Sequence, residues 1–256
     1  MSFYLLPFSY FYQTRLKEGS IAFHVIFEWI AALWLVVWIG DGVTVSQNIF
    51  ALFLNYIAFI SIYEIGYMAN DIYAAKYEKY GRHRGPQGAR NLNLWVCLWV
   101  VIRLATFLAC TIVMNKFFDA SWWLFFFALI LVFSLHNLLN DREMKAATFS
   151  WLAWFRFMAP VIFVISKDQL MSVGLAVAFG YVAYRKLGYM DSKGLLLMPG
   201  RKRTRFRLFF FLSPMAGAVA LWPYGQAQGY LLLVVYWAAV SSVGAALTYK
   251  FSRPSQ

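Results

Sequence analysis

The chain has 256 residues, of which 62% are hydrophobic and 13% charged, and its formal net charge is +12. Soluble domains are typically about 25% charged and about 45–50% apolar, so this composition excludes an ordinary soluble protein and requires lipid as a second solvent. The positive charge is confined to a few segments between hydrophobic runs, which favours anionic lipid head groups or phosphate-bearing substrates over nucleic acid as partners.

Hydrophobic runs of membrane-spanning length follow one another along the chain. At roughly 20 residues for each crossing, the length accommodates about eight spans and leaves no room for a separate soluble domain. We therefore predict an all-α polytopic helical bundle that forms a single membrane-embedded domain over residues 1–256, with an aromatic-rich interfacial segment at 1–19. The predicted spans are 20–40, 48–69, 93–115, 121–140, 147–166, 169–189, 206–222 and 230–250.

Basic residues alternate between the loops of this predicted bundle. The loops after the even-numbered spans carry most of the lysines and arginines, whereas the opposite loops are short and nearly uncharged. Because basic loops stay in the cytoplasm, we expect both termini and the long polar loops on the cytoplasmic side. This orientation predicts an integral protein of the bacterial inner membrane whose functional face opens to the cytoplasm.

The first polar cluster closes the second predicted span and is rich in oxygen ligands. Glu64, Asp71 and Glu78 recur at a spacing of seven residues and share one helix face, with Asn70 beside them. Carboxylates of this kind bind Mg²⁺ together with substrate phosphates, and the cations that follow can hold phosphate oxygens. Those cations are Lys76, Arg82, Arg84 and Arg90. The alternative interpretation is an ordinary helix end with solvated positive charge.

The second polar cluster closes the fourth predicted span. Its members are His136, Asn137, Asn140, Asp141, Arg142 and Lys145. Asn137 and Asp141 lie four residues apart, as do His136 and Asn140, so each pair shares a helix face. So many polar groups within the last turns exceed what a charged loop requires, and the alternative is a set of hydrogen bonds that join membrane helices.

The third polar cluster closes the sixth predicted span. Tyr181, Arg185 and Tyr189 recur every four residues and line one face, with Tyr184 and Lys193 beside them. A phenol–guanidinium–phenol stripe can hold a phosphate or stabilise a cation. The alternative is an interfacial aromatic belt with cations that extend to the head groups.

Ionisable residues also lie inside the predicted spans, at Glu28, Glu64, Arg103 and Arg156. Each is roughly seven to ten residues from the cytoplasmic end of its helix, or about 10–15 Å deep. Charges inside a membrane are costly and face a partner or a cavity. We therefore expect these two acids and two bases to point inward, either as structural ion pairs or as the floor of a polar cavity.

The order of these elements resembles that of the UbiA-type intramembrane prenyltransferases. Members of that superfamily are helical bundles in which acid-rich motifs after the second and sixth spans bind Mg²⁺ and a diphosphate donor. Their first motif reads roughly N-D-x-x-D-x-x-x-D, and here Asn70 and Asp71 match its opening pair, Ala74 replaces the middle acid and Glu78 matches the last. The second motif is reduced to Tyr184, Arg185, Lys186, Asp191 and Lys193.

The resemblance implies a transferase that moves a prenyl or phosphoribosyl group from a diphosphate donor, with an isoprenoid lipid as donor or acceptor. It implies Mg²⁺ at Asp71 and Glu78, with Asp141 or Glu64 as general base beside the catalytic Asp71. Phosphate contacts would come from the second cluster, at Asn140, Asp141, Arg142 and Lys145. The surplus of bases favours the branch that transfers phosphoribosyl groups to polyprenyl phosphate.

Two alternatives stay open at this point, and no obligate protein partner is expected in the transferase interpretation. A transporter or flippase for a phosphorylated lipid would also use inward-facing charges, although the non-cytoplasmic loops are short and nearly uncharged. A non-catalytic membrane assembly subunit would use the same polar groups only for stability or for binding a partner.

Overall fold

The computed structural model describes residues 1–17, 19–77, 84–86 and 91–251. Within these residues the regular structure is entirely helical, and the only strand-like feature is an isolated antiparallel bridge between Gly40 and Ile165. This confirms the predicted all-α class. Three of the predicted site residues, Glu78, Arg82 and Arg90, lie outside the described residues.

The long helices follow the predicted hydrophobic runs in order. Their bounds are Ile21–Ile39 (α1), Val45–Lys76 (α2), Leu92–Val113 (α3), Ala120–Leu138 (α4), Arg142–Met158 (α5), 170–192 (α6), Thr204–Leu221 (α7) and Gln228–Phe251 (α8). Short 3₁₀ turns precede α6, α7 and α8 at Lys167–Gln169, Pro199–Lys202 and Gly225–Ala227.

Six helices of the described chain are long and apolar enough to cross a membrane, which indicates an integral membrane protein. They are α1, α2, α3, α4, α7 and the stretch Gly225–Thr248, which includes most of α8. The remaining predicted spans, 147–166 and 169–189, fall on α5 and α6. Helix α5 has 17 residues and gives way to turns after Met158, and α6 contains a π-helical segment.

The helices group into two compact units. Unit 1 comprises Met1–Ala22 and Phe50–Thr148, and unit 2 comprises Phe23–Ile49 and Phe149–Gln256. In unit 1 the residues that precede α1 form a partly helical N-terminal arm, residues 1–17, that packs on α3. The buried hydrophobic cluster at this contact contains Tyr10, Met68, Ile72, Val96 and Trp99.

Close packing of α2 against α4 in unit 1 depends on a glycine. A Cβ atom at Gly66 would lie 2.6 Å from the ring of Phe133, which is closer than real Cβ contacts allow. The rings of Tyr63 and Tyr67 meet the same phenylalanine edge to face, with centroids 4.9 and 5.6 Å away. Aromatic side chains thus fill the interface that the small residue opens.

A side-chain cap begins α4 at Ala120. Asp119 Oδ1 accepts hydrogen bonds from the backbone N–H groups of Ser121 at 3.0 Å and Trp122 at 3.4 Å, and Lys116 Nζ lies 3.0 Å from Oδ2. These bonds satisfy donors that have no partner within the helix. Hydrogen bonds from Ser121 and Lys116 lower the pKa of the Asp119 carboxyl to about 2.

Helix α8 lies at the centre of unit 2, where it contacts α1, α6 and α7. Trp237 is fully buried and donates its indole N–H to the carbonyl of Phe27 at 3.1 Å. A Cβ atom at Gly180 of α6 would lie 2.6 Å from the Trp237 ring, so only glycine permits this approach. The tryptophan therefore joins α1 and α6 around α8.

Candidate functional site

Helical irregularities mark the polar sites of both units. Among the described residues, π-helical segments occur at Tyr12–Leu16, Val25–Ile30, Ala69–Tyr73 and Ala178–Val182. Each contains at least one member of a buried polar cluster, and these include Arg15, Glu28, Asp71 and Tyr181, respectively. Because π-helical turns are rare and concentrate at functional sites, they draw attention to these clusters independently of residue type.

In unit 1, Asp71 is almost fully buried and accepts hydrogen bonds at both carboxylate oxygens. Arg15 binds it in a bidentate manner, with Nη2 2.7 Å from Oδ1 and Nη1 2.9 Å from Oδ2. The Tyr10 hydroxyl donates to Oδ2 at 3.2 Å and the Asn70 amide donates to Oδ1 at 3.1 Å. Burial, followed by the charge of Asp71, raises the pKa of the Tyr10 phenol, which keeps it protonated as a donor.

Glu64 lies seven residues before Asp71 and is also paired within unit 1. Its Oε2 accepts hydrogen bonds from Arg103, at 2.8 Å from Nε and 2.7 Å from Nη2, and both side chains are fully buried. Its Oε1 accepts the backbone N–H of Phe11 at 2.6 Å. The expectation that the acids and bases inside the spans neutralise one another is confirmed for this pair.

Asp71, one of the two predicted Mg²⁺ ligands, is paired with Arg15 in the structure. A magnesium ion requires free oxygen lone pairs in near-octahedral geometry, whereas both oxygens of Asp71 already accept bonds from Arg15. Ala74 offers no side-chain ligand, and Glu78 lies outside the described residues. No group of three or more His, Cys, Asp or Glu side chains able to hold a metal ion occurs among the residues described.

In the second polar cluster, Asp141 caps a helix. Its Oδ1 accepts the backbone N–H of Met144 at 2.8 Å, which satisfies a donor in the first turn of α5. Asp141 and Asn140 are exposed and Arg142 is half-buried. The structure therefore gives the predicted base Asp141 a structural role while leaving it accessible to solvent or ligand.

The remaining members of this cluster form contacts between helices. Asn137 donates its amide to the carbonyl of Gly66 at 3.2 Å, and its Oδ1 is buried without a hydrogen-bond partner among the described residues. His136 Nδ1 lies 2.8 Å from Thr148 Oγ1, and Lys145 is buried. These contacts fit the interpretation of the cluster as hydrogen bonds between membrane helices.

Unit 2 contains a buried quartet of polar side chains, formed by His24, Glu28, Arg156 and Tyr181. Arg156 Nε lies 2.9 and 3.1 Å from the two oxygens of Glu28, and the Tyr181 hydroxyl donates to Oε2 at 2.7 Å. His24 Nδ1 lies 2.9 Å from Glu28 Oε2 and 3.1 Å from Arg156 Nη2. The predicted neutralisation of buried charges is confirmed for this second pair as well.

Side chains of α8 stabilise the π-helical turn that contains Glu28. The backbone carbonyls of Ile26 and Phe27 accept hydrogen bonds from the Tyr236 hydroxyl at 2.8 Å and the Trp237 indole at 3.1 Å. A widened turn weakens the regular backbone pairing, and donors from a neighbouring helix compensate for that loss. The sequence alone offered no sign of this support.

Arg185, the central residue of the third polar cluster, has no ion-pair partner among the described residues. Its guanidinium lies 5.9 Å from the ring centroids of both Phe23 and Phe149, and its Nε is buried without a hydrogen-bond partner. Tyr189 stacks on Phe149 with a centroid distance of 4.3 Å. Tyr181, which is predicted to lie on the same face, donates its hydroxyl to Glu28 at 2.7 Å.

Other cations of unit 2 contact tyrosines of α6, the helix that carries Arg185. Arg207 Nε donates to the Tyr184 hydroxyl at 3.4 Å, and Lys193 lies over the Tyr189 ring. Asp191 forms an ion pair with Arg201 at 2.9 Å, and this contact lowers the pKa of the Asp191 carboxyl. Two more predicted residues belong to unit 1, where Lys76 is exposed and Arg84 is half-buried.

Three residues that complete these clusters were not predicted from the sequence, namely Tyr10, Arg15 and His24. His24 carries a local signal, because it lies one helical turn before Glu28 within an apolar run. Arg15 carries none, since its partner Asp71 is 56 positions away in the chain. Its basic character instead indicates an interfacial residue, which is how the N-terminal segment is interpreted from sequence.

No family model, no curated protein and no solved structure matches the chain. The resemblance to UbiA-type prenyltransferases therefore rests on the order of the polar motifs and the few matching residues. The buried acids Glu28, Glu64 and Asp71 are each neutralised by an arginine of the same chain. The buried Nε of Arg185, in contrast, has no hydrogen-bond partner among the described residues.

Proposed function

We propose that the protein is a membrane-embedded transferase that moves a prenyl or phosphoribosyl group from a diphosphate donor, with an isoprenoid lipid as donor or acceptor. The observation that carries this proposal is that the buried Nε of Arg185 has no hydrogen-bond partner among the described residues. A buried guanidinium nitrogen without a partner is costly, and phosphate oxygens are the groups that satisfy it best. In this proposal the chain crosses the bacterial inner membrane eight times, with both termini and the site on the cytoplasmic side.

The chemistry of such a transfer matches the groups around Arg185. Departure of a diphosphate places negative charge on the leaving group and positive charge on the carbon. Arg185 would stabilise the leaving group, and the faces of Phe149 and Tyr189 would shield the cationic carbon. Of the acids considered as general base, Asp141 is exposed, whereas Glu64 is buried and paired.

A non-catalytic membrane subunit is the second candidate, and a specific observation favours it. Asp71, Glu64 and Glu28 all bind arginines of the same chain and so act as structural groups. In that function Arg185 would bind an anionic lipid head group or an acidic partner without turnover. The two candidates therefore differ in catalysis and agree on anion binding.

Diphosphate release by the purified protein in lipid nanodiscs tests the proposal. Prenyl diphosphates and phosphoribosyl diphosphate would be offered in turn, each with polyprenyl phosphate or a membrane lipid extract as acceptor. A charge-assisted hydrogen bond is worth ~1.5–3 kcal/mol, so Arg185→Gln should slow release at least about tenfold. Arg203→Gln, which removes an exposed cation from the same unit, serves as the matched control and should leave release unchanged.

The outcomes separate the two candidates. Release with one donor, lost in Arg185→Gln and kept in Arg203→Gln, supports the transferase and identifies the donor class. If no donor gives diphosphate release, in protein that elutes as a single folded species, the transferase is refuted and the non-catalytic subunit is supported. Release that is equal in both variants would show that Arg185 does not contact the departing diphosphate.

A further inference from the structure

The N-terminal arm places a guanidinium on the acid that the sequence predicts as a metal ligand. We infer that Arg15 is the resident cation of the Asp71 site, supplied by the chain itself in place of a divalent metal ion. The site then accepts a divalent cation only when this guanidinium is removed. This inference concerns the binding chemistry of unit 1 and does not depend on the proposed transferase activity.

The geometry of the pair leaves no free ligand on the carboxylate. Arg15 donates one hydrogen bond to each oxygen of Asp71, at 2.7 and 2.9 Å, in the parallel arrangement that guanidinium and carboxylate prefer. Tyr10 and Asn70 add a third and a fourth bond. A divalent ion would have to displace these donors and would also meet the positive charge of Arg15 in a buried site.

The arm holds the guanidinium of Arg15 in place by further contacts. The guanidinium carbon lies 4.2 Å from the centroid of the Tyr67 ring, and Nη1 also donates to the backbone carbonyl of Thr14 at 3.1 Å. Phe11 stacks on Tyr67, with centroids 6.2 Å apart and planes nearly parallel. An arginine that is held by several contacts is a fixed component of the site, unlike a mobile surface cation.

A second acid fixes the backbone of the arm. Glu64 lies two turns before Asp71 on the same face of α2 and accepts the backbone N–H of Phe11 at 2.6 Å. The arm is therefore attached to α2 at two acids, through its backbone at Phe11 and through its side chain at Arg15. This double attachment explains how a basic N-terminal segment packs within unit 1.

Removal of the guanidinium would leave a buried carboxylate without a counter-ion. Asp71 would keep its two oxygens, with the Tyr10 hydroxyl oxygen 3.2 Å from Oδ2 and the Asn70 amide nitrogen 3.1 Å from Oδ1. Oxygen donors of this type suit Mg²⁺ and Mn²⁺, and a buried charge without a counter-ion favours uptake of a small cation. The variant Arg15→Ala should therefore gain a divalent site that the parent protein lacks.

Manganese binding measured by electron paramagnetic resonance tests this inference. The protein would be placed in nanodiscs of zwitterionic lipid, and the loss of the free Mn²⁺ signal would report bound ions. We expect Arg15→Ala to bind one more Mn²⁺ per chain than the parent protein. The additional ion should be lost in Arg15→Ala/Asp71→Asn, and Arg15→Lys should bind no more Mn²⁺ than the parent, since it retains a cation.

Two results would overturn the inference. The first is Mn²⁺ binding by the parent protein that decreases in Asp71→Asn, because it would show that a metal ion already occupies the acid. The second is a folded Arg15→Ala variant that binds no additional Mn²⁺. The first comparison does not involve Arg15→Ala, so the inference stays testable even where that variant fails to fold.

Discussion

The buried ion pair of unit 1 offers the sharpest test of how the membrane helices are held. Glu64 and Arg103 are both fully buried, and each also satisfies a backbone group outside the pair. Glu64 accepts the N–H of Phe11, and Arg103 donates to the carbonyl of Trp99 at 3.2 Å. Replacing either charged side chain leaves its partner as an uncompensated charge in an apolar environment.

The expected magnitude follows from that imbalance. Removing one member of a buried pair costs about 3–5 kcal/mol, whereas replacing both with uncharged groups is nearly neutral. We therefore expect Arg103→Met and Glu64→Gln each to lower the free energy of unfolding by ~3–5 kcal/mol. The double variant should be more stable than either single variant, because Gln still accepts the Phe11 N–H and no buried charge remains.

The measurement is equilibrium unfolding in mixed micelles of increasing SDS fraction, followed by tryptophan fluorescence. Lys116→Met, which removes one member of a partly exposed pair with Asp119, serves as the control and should cost less than ~1 kcal/mol. The reasoning would be refuted if the losses of unfolding free energy were additive in the double variant. It would also be refuted if each single variant lost no more than the control. Either result would mean that water or lipid head groups reach the pair and screen it.

Three further outcomes follow from the geometry of single residues. Tyr181→Phe removes the 2.7 Å hydrogen bond to Glu28 and should lower the free energy of unfolding by ~1.5–3 kcal/mol in the same micelle assay. Gly66→Ala places a methyl group against the Phe133 ring and should cost ~1–3 kcal/mol. Asp119, whose carboxyl pKa is lowered from 3.8 to about 2 by its hydrogen bonds, should titrate near pH 2 by carbon NMR. Because the folded pKa is the lower one, its stabilisation of α4 is complete above pH 3.8 and disappears as the pH falls through 2.

Each of these outcomes has a control or a contrary result. Tyr224→Phe, at an exposed phenol, should leave stability unchanged. An equal loss of unfolding free energy in both tyrosine variants would show that the hydrogen bond to Glu28 is not the cause of the loss. Gly244→Ala introduces a methyl group with no neighbour within 4 Å, so a loss as large as that at Gly66 would contradict the packing explanation. A titration of Asp119 at its ordinary value would show that the cap is not formed.

The amino-acid sequence by itself determined the helical class, the integral membrane character and the inward direction of the buried charges. Run length and apolar composition are local properties, and a hydrocarbon environment permits few structures other than helices for such runs. The rule that a charge inside a membrane must face a partner is equally local, and Glu28, Glu64, Arg103 and Arg156 obey it.

Only the tertiary structure decided which groups meet. Glu28 pairs with Arg156 across 128 positions, and Asp71 pairs with Arg15 across 56, and no periodicity encodes such pairings. They depend on which helices pack together, which is settled by the sum of many side-chain contacts such as that of Gly66 with Phe133. The π-helical turns that present Asp71 and Glu28 have the same origin, because a widened turn forms only where contacts from neighbouring elements compensate for it.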